Sequence, residues 1–199
     1  MTQDFKLFVF TKYPRPGRVK TRLGAGIGMD RAAAVHRELA ERTVTAVLAA
    51  RLPFAVAYCP HDPASDFAAW LGPDLEYLPQ NGADLGERLA ECLASALQSH
   101  RSAAIIGTDA PGLRPGPLIA AATALTRPGY VLGPATDGGY YLIGAHRDAF
   151  DKSVFQNIAW SSSGVFDATC NNIQALGHGC IFLDHLSDVD TEKDLYLMQ

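Results

Sequence analysis

Short apolar segments alternate with longer amphipathic segments along most of this chain. The segments at residues 7–10, 54–58 and 103–106 are rich in strand-forming side chains and are bounded by Pro, Gly or polar residues. Between them lie stretches with helical spacing, the clearest at residues 84–99, where apolar side chains recur three to four positions apart. This alternation predicts a mostly parallel β-sheet covered by helices on both faces, a three-layer α/β sandwich.

The same patterns place the other elements and give no reason to divide the chain. We predict further strands at 75–78, 130–132, 140–143 and 180–183, and helices at 29–50, 63–71, 115–125, 164–176 and from about Thr191. The 199 residues contain no repeat, low-complexity tract or linker, so we expect a single domain over residues 1–199.

Composition excludes several classes of protein. A chain that is 48% hydrophobic and 19% charged is globular, and no apolar run reaches the roughly 18 residues of a membrane span. The N-terminus has no basic region followed by an apolar one, so we expect no export signal and a cytoplasmic protein. The four cysteines form no CxxC pair and are expected to be reduced thiols.

Charge is distributed unevenly along the chain. The net charge of −4 argues against binding nucleic acid through a broadly basic surface. Residues 12–22, however, contain five cations and no acid, so this basic loop carries +5 and the rest of the chain −9. The loop follows the first strand, at the edge of a parallel sheet where ligands bind. Lys20 and Arg22 suit phosphate oxygens, and Gly17 allows a close backbone approach; the alternative is a solvated surface turn.

Other phosphate and hydrolase motifs are missing from the sequence. There is no GxxxxGK[ST] motif, and the glycine run at residues 24–28 has Met29 where a dinucleotide-binding motif needs its third glycine. Neither GxSxG nor HExxH occurs, which argues against a serine hydrolase and a zinc protease.

Acidic residues occupy two positions suited to a divalent cation. Asp109 comes just after the buried strand at 103–106, and five acids lie within residues 184–194, Asp190 among them. Mg²⁺ prefers oxygen ligands and is often held by one or two carboxylates together with substrate phosphates. Each aspartate also has a simpler interpretation, Asp109 as a turn residue before Pro111 and Asp190 as the cap of the last helix.

Three further positions are open to either a structural or a ligand-binding interpretation. Asp137, followed by two glycines and two tyrosines, fits a hairpin turn or the floor of a sugar site. Trp160 fits core packing better than stacking on a ligand. Asp84 is a candidate N-cap, and Gly86 in the first helical turn costs helix stability, which a close approach by a ligand would explain.

Five ordered motifs resemble those of one family: PRPGRVKTRL at 14–23, DLGER at 84–88, GTDAP at 107–111, LGPATDGGYYLIG at 132–144 and DVDT at 188–191. The chain resembles the bacterial glycosyltransferase-like proteins of the nucleotide-diphospho-sugar transferase superfamily, some of which are named for arsenosugar biosynthesis. The resemblance implies a glycosyltransferase A-type fold. The chain lacks the glycine-rich first loop of sugar nucleotidyltransferases, although the phospholactate guanylyltransferase branch has a similar Lys-Ser-Arg-Leu stretch.

The resemblance also implies roles for individual residues. By position, the resemblance assigns phosphate binding to Lys20 and Arg22. The other candidates for nucleotide or phosphate binding are Lys12, Arg15, Gly17, Leu85, Gly86, Arg88 and Thr108, and those for acceptor or sugar binding are Asp137, Gly138, Gly139 and Trp160. Asp109 and Asp190 are the expected ligands of Mg²⁺ or Mn²⁺, and Asp109 and Asp137 are the candidate catalytic residues.

Three hypotheses about function follow from these expectations. The first is a metal-dependent transferase that passes the glycosyl group of a nucleotide-diphospho-sugar to a small-molecule acceptor. The second is a nucleotidyltransferase that joins an NTP to a phosphorylated small molecule and releases pyrophosphate. The third is a nucleotide-binding module without turnover. No nucleic-acid or membrane partner is expected, and a homodimer is left open.

Overall fold

The computed structural model describes residues 4–59 and 61–199, which are built around a seven-stranded sheet. Residues 1–3, part of the N-terminus on which the expected lack of an export signal depends, lie outside the described residues. The strands are β1 (Phe5–Thr11), β2 (Phe54–Tyr58), β3 (Tyr77–Pro79), β4 (Ser102–Ile106), β5 (Tyr130–Pro134), β6 (Tyr140–His146) and β7 (Cys180–Phe182). The helices are α1 (Thr21–Ile27), α2 (Met29–Ala50), α3 (Ala64–Leu71), α4 (Leu85–Ser99), α5 (Pro115–Ala124) and α6 (Val165–Ala175), with 3₁₀ helices at Lys152–Phe155 and Glu192–Met198.

The strand order confirms the predicted mostly parallel sheet. The order is β3-β2-β1-β4-β6-β5-β7, and β6 runs antiparallel to both of its neighbours while the other pairs are parallel. Val9 at the centre of β1 pairs with Val56 on one side and Ile106 on the other. Because β1, β2 and β4 are parallel neighbours, their carboxyl ends meet at one edge of the sheet.

Two apolar clusters, one on each face of the sheet, form the predicted three layers. On one face Phe8 of β1 and Ile105 of β4 pack with Leu93 of α4. On the other face Val9 packs in a cluster with Val47 of α2. Successive side chains of a strand point to opposite faces, and a sheet buried on both faces needs the continuous apolar runs seen in the sequence.

Three local expectations from the sequence were wrong. Helix α1 was not predicted, because Gly24 and Gly26 have low helix propensity. Tertiary packing overrides that propensity, since Leu23 of α1 is buried in a cluster with Ala32 and Leu39 of α2. The third strand lies two residues later than predicted. The last helix is a 3₁₀ helix, and its N-cap is Thr191, which forms a capping box with Asp194.

The cysteines agree with the expectation of reduced thiols. All four cysteines are free thiols, and burial raises the pKa of Cys92 to about 12, so this side chain stays protonated in the core. None of the helices in the described part of the chain has the length and apolar character needed to cross a bilayer.

Candidate functional site

The buried ammonium of Lys20 is the centre of the site. Its Nζ lies 2.6 Å from Oδ1 of Asp109 and 3.2 Å from Oδ1 of Asp190, and its side chain is only 4% exposed. Burial alone would lower the pKa of Lys20, but the two carboxylates outweigh it and the pKa lies above its usual value. Lys20 therefore remains charged and joins two distant parts of the chain.

The sheet explains how these three side chains meet. Lys20 ends the loop that follows β1, and Asp109 comes three residues after the end of β4, the parallel neighbour of β1. Asp190 arrives with the C-terminal segment, where the N–H of Val189 donates to the carbonyl oxygen of Asp109 over 3.0 Å. The structure thus brings together three residues to which the family resemblance assigns phosphate and metal binding.

A cavity of about 560 Å³ opens beside this cluster, within the size range of small-molecule sites. Eight of the predicted site residues line it: Lys12, Lys20, Arg22, Leu85, Arg88, Thr108, Asp109 and Asp190. Arg18 of the basic loop lines it as well, so its charged wall carries five cations and two carboxylates. An excess of positive charge in a cavity of this size favours an anionic ligand.

Arg15 and Gly17 of the basic loop do not line the cavity. The Arg15 guanidinium contacts Asp62 at 2.9 Å and Asp66 at 2.8 Å, and lies over the ring of Tyr13 with its Cζ 5.3 Å from the centroid. Gly17 has a φ of +76°, and the space around it is open. The geometry therefore favours Arg15 as an anchor of the loop on α3 and its preceding turn, and Gly17 as a turn residue.

Gly86 and Trp160 contact each other. Gly86 is the second residue of α4, and a Cβ built on it would lie 2.7 Å from atoms of the Trp160 indole. The close approach expected at Gly86 is thus made by a side chain of the protein, and Trp160 packs against the core as its structural interpretation predicted. The helix begins at Asp84, whose Oδ1 accepts from the N–H of Glu87 at 2.8 Å, which confirms Asp84 as the N-cap.

The segment from Asp137 to Gly139 forms the turn between β5 and β6 and does not line the cavity. The N–H of Gly139 donates to Oδ1 of Asp137 over 2.8 Å, and Gly138, with a φ of +90°, packs against the backbone of Ser163. This is the hairpin interpretation of the motif. Tyr140, the residue that follows, does line the cavity.

Two residues near Lys20 were missed as site residues by sequence reasoning. His36 of α2 lines the cavity and is 6% exposed. Its Nε2 lies 3.0 Å from the carbonyl oxygen of Lys12, which can only accept, so Nε2 carries the proton. Burial lowers the pKa of His36 and favours the neutral ring. The available signal was a histidine within the apolar stripe of α2.

Asp188 is the second such residue. Burial raises its pKa to about 7, and the negative charges of Asp109, Asp137 and Asp190 act in the same direction while Lys20 opposes them. Its Oδ1 is buried and has no hydrogen-bond partner among the residues that the structure describes. The acidic composition of residues 184–194 was visible in the sequence, but which of these acids is buried was not.

The carboxylates fit a divalent cation only in part. Oδ1 atoms of Asp109 and Asp190 converge on one cation, the ammonium of Lys20, and oxygens of this kind suit Mg²⁺ or Mn²⁺. Over residues 4–59 and 61–199, no group of three or more His, Cys, Asp or Glu side chains is arranged to hold a metal. Two carboxylates can hold such an ion if substrate phosphates and water complete its coordination.

Comparison with known proteins identifies one family and one fold. The model of the DUF2064 family, described as "Uncharacterized protein conserved in bacteria", matches residues 40–162. A crystal structure from Desulfovibrio desulfuricans G20, provisionally named a nucleotide-diphospho-sugar transferase, is 33% identical and superimposes with a TM-score of 0.90 over 94% of this chain and 83% of that one. No curated protein is significantly similar to this chain in sequence.

More distant structures share the fold alone. The 4-diphosphocytidyl-2C-methyl-D-erythritol synthase of Anaerococcus prevotii is 8% identical, with a TM-score of 0.63 over 100% of this chain and 97% of that one. The inositol-1-phosphate CTP transferase of T. maritima is 12% identical, with a TM-score of 0.61 over 100% and 96% of the two chains. The D. desulfuricans structure, at 33% identity, confirms the expected fold of the nucleotide-diphospho-sugar transferases.

Proposed function

Because this chain belongs to the DUF2064 family and has a cationic cavity at its strand ends, we propose that it is a metal-dependent transferase acting on a nucleotide-diphospho-sugar. It passes the glycosyl group to a small-molecule acceptor. The D. desulfuricans relative, whose provisional name is that of such a transferase, supports this assignment over nearly the full length of the chain.

One observation carries the proposal: Lys20 contacts both Asp109 and Asp190 on the wall of the cationic cavity. A buried lysine between two carboxylates combines a phosphate-binding cation with oxygen ligands for a metal in one place. A structural ion pair requires neither the cavity nor the further cations that surround this one.

Different residues of the cavity serve phosphate binding, apolar contact and metal binding. Lys20, Arg22 and Arg88 hold the diphosphate oxygens, and Leu85 supplies apolar contact. Asp109 and Asp190 would hold Mg²⁺ or Mn²⁺, which would supply positive charge to offset that of a departing diphosphate. The acceleration then comes chiefly from positioning and from fixed charges aimed at the phosphates.

A nucleotidyltransferase is the second candidate function, and the charge of the cavity supports it. The five lining cations exceed the two carboxylates, and a triphosphate carries more negative charge than a diphosphate ester. In this reaction the same residues would hold an NTP, a phosphorylated small molecule would attack it, and pyrophosphate would leave.

Calorimetric titration with UDP-, GDP-, CDP- and dTDP-sugars in the presence of Mg²⁺ or Mn²⁺ tests the first proposal. We expect heat of binding with the members of the panel that carry one base. Lack of heat with every donor sugar would remove the basis for a glycosyltransferase.

Pyrophosphate release separates the two candidates. The protein is incubated with a metabolite pool, Mg²⁺ and either an NTP or a nucleotide sugar, and pyrophosphate release and donor-sugar consumption are measured against an Asp109→Asn control. Release that depends on Asp109 supports the nucleotidyltransferase, whereas donor-sugar consumption without pyrophosphate supports the glycosyltransferase.

A further inference from the structure

We propose that the Lys20 ammonium occupies the position of the divalent cation and excludes this cation from Asp109 and Asp190. The ammonium leaves that position when it binds a nucleotide phosphate. Metal and nucleotide would therefore enter the site together, and metal alone would bind poorly. This inference rests on the proposed function, because it concerns the order in which the same ligands bind.

The geometry sets the two cations in competition. The ammonium contacts Oδ1 of both aspartates, at 2.6 and 3.2 Å, and these are the oxygens that converge on a shared cation. A metal ion bound to both oxygens at about 2.1 Å would occupy the same space. An ammonium and a divalent ion so close together would also repel each other.

Burial explains why the ammonium stays in place. The Lys20 side chain is 4% exposed, so water cannot readily replace the carboxylates around it. If the ammonium moved away from the two carboxylates without finding another anionic partner, a buried charge would be left unpaired, which is unfavourable. A phosphate oxygen in the adjoining cavity supplies that partner, and the flexible stem of a lysine allows the ammonium to move toward it.

Arg22 offers a matched control within the same site. Its NH1 lies 3.6 Å from Oδ2 of Asp190, and its side chain is 69% exposed. Lys20→Met and Arg22→Met remove the same charge, but only the first empties the space between the two carboxylates. A general electrostatic effect would act on both variants, whereas displacement of a resident cation is specific to Lys20.

Equilibrium dialysis of Mn²⁺ against the full chain tests the inference, with and without UDP, GDP, CDP or dTDP. We expect the wild type to bind Mn²⁺ weakly alone and at least about tenfold more tightly with one of the diphosphates. Lys20→Met should bind Mn²⁺ alone at least about tenfold more tightly than the wild type, and Arg22→Met within about threefold of it. Lys20→Gln serves as a second variant, and thermal unfolding checks that each variant is folded.

Two outcomes overturn the inference: wild-type protein that binds Mn²⁺ as tightly alone as with any diphosphate, or a folded Lys20 variant that binds Mn²⁺ alone no more tightly than the wild type. If neither Lys20 variant folds, the test rests on the wild type alone, by comparison of its Mn²⁺ affinity with and without a diphosphate. If no diphosphate tightens Mn²⁺ binding to the wild type, the inference fails; the proposed function fails with it only if none of the nucleotide sugars binds the wild type in calorimetry.

Discussion

The indole of Trp160 lies against the α-carbon of Gly86, so that a Cβ at position 86 would be 2.7 Å from the ring. This contact connects the loop after the 3₁₀ helix Lys152–Phe155 with the first turn of α4, which borders the cavity through Leu85. The glycine is therefore required by packing, although it lowers the helix propensity of α4.

Gly86→Ala should destabilise the protein by about 1–3 kcal/mol, because the added methyl group overpacks the contact with Trp160. Gly116→Ala is the matched control, since Gly116 is also the second residue of a helix and its Cβ would meet open space. There the change should stabilise the protein by up to about 1 kcal/mol. Urea unfolding measures both free energies, and equal stabilisation of the two variants would contradict the packing account.

Because the ring of His36 is buried, we expect the protein to lose stability at acidic pH. Burial lowers its pKa, so the unfolded chain takes up a proton near pH 6.5 that the folded protein accepts only at lower pH. The unfolded state then binds more protons, and stability falls as the pH falls through this window. His36→Gln keeps an N–H donor for the Lys12 carbonyl and does not titrate. The free energy of unfolding should therefore decrease more for the wild type than for the variant between about pH 7.5 and 5, and parallel curves would refute a buried neutral ring.

Arg15 and Arg88 should differ in their effect on nucleotide binding. The guanidinium of Arg15 is held by Asp62 and Asp66 outside the cavity, whereas Arg88 lines it. Arg15→Met should change the affinity for the preferred nucleotide by no more than about threefold, because exposed ion pairs contribute little. Arg88→Met should weaken it by about tenfold or more. Calorimetry compares the two, and a larger loss for Arg15→Met would restore Arg15 as a phosphate ligand.

The sheet and the position of Asp109 near Lys20 could be predicted from the sequence for a physical reason, whereas the assignment of Asp190 to the same site depended on the family resemblance. Apolar runs such as that of β4 report burial on both faces, and the carboxyl ends of parallel strands must meet at one edge. A residue that directly follows such a strand, as Asp109 nearly does, therefore has a predictable location.

Contacts set by loop conformation could not be predicted in the same way. Arg15 pairs with carboxylates that lie 47 and 51 positions further along the chain, in the turn before α3 and in α3 itself. Lys20 adopts a left-handed backbone conformation with a φ of 46°, and no sequence pattern predicts this conformation for a lysine. Gly86 suggested a close approach, but only the fold shows that Trp160 makes it.

The metal dependence of nucleotide binding tests the central claim most directly. Calorimetry measures the affinity for the preferred nucleotide sugar with Mg²⁺ and with EDTA, for the wild type, Asp109→Asn and the control Asp74→Asn, which changes an exposed acid that does not line the cavity. We expect EDTA and Asp109→Asn each to weaken binding by about tenfold or more, and Asp74→Asn to leave it unchanged. An affinity that neither EDTA nor Asp109→Asn alters would contradict a metal site at Asp109 and indicate a nucleotide-binding module without metal-dependent turnover.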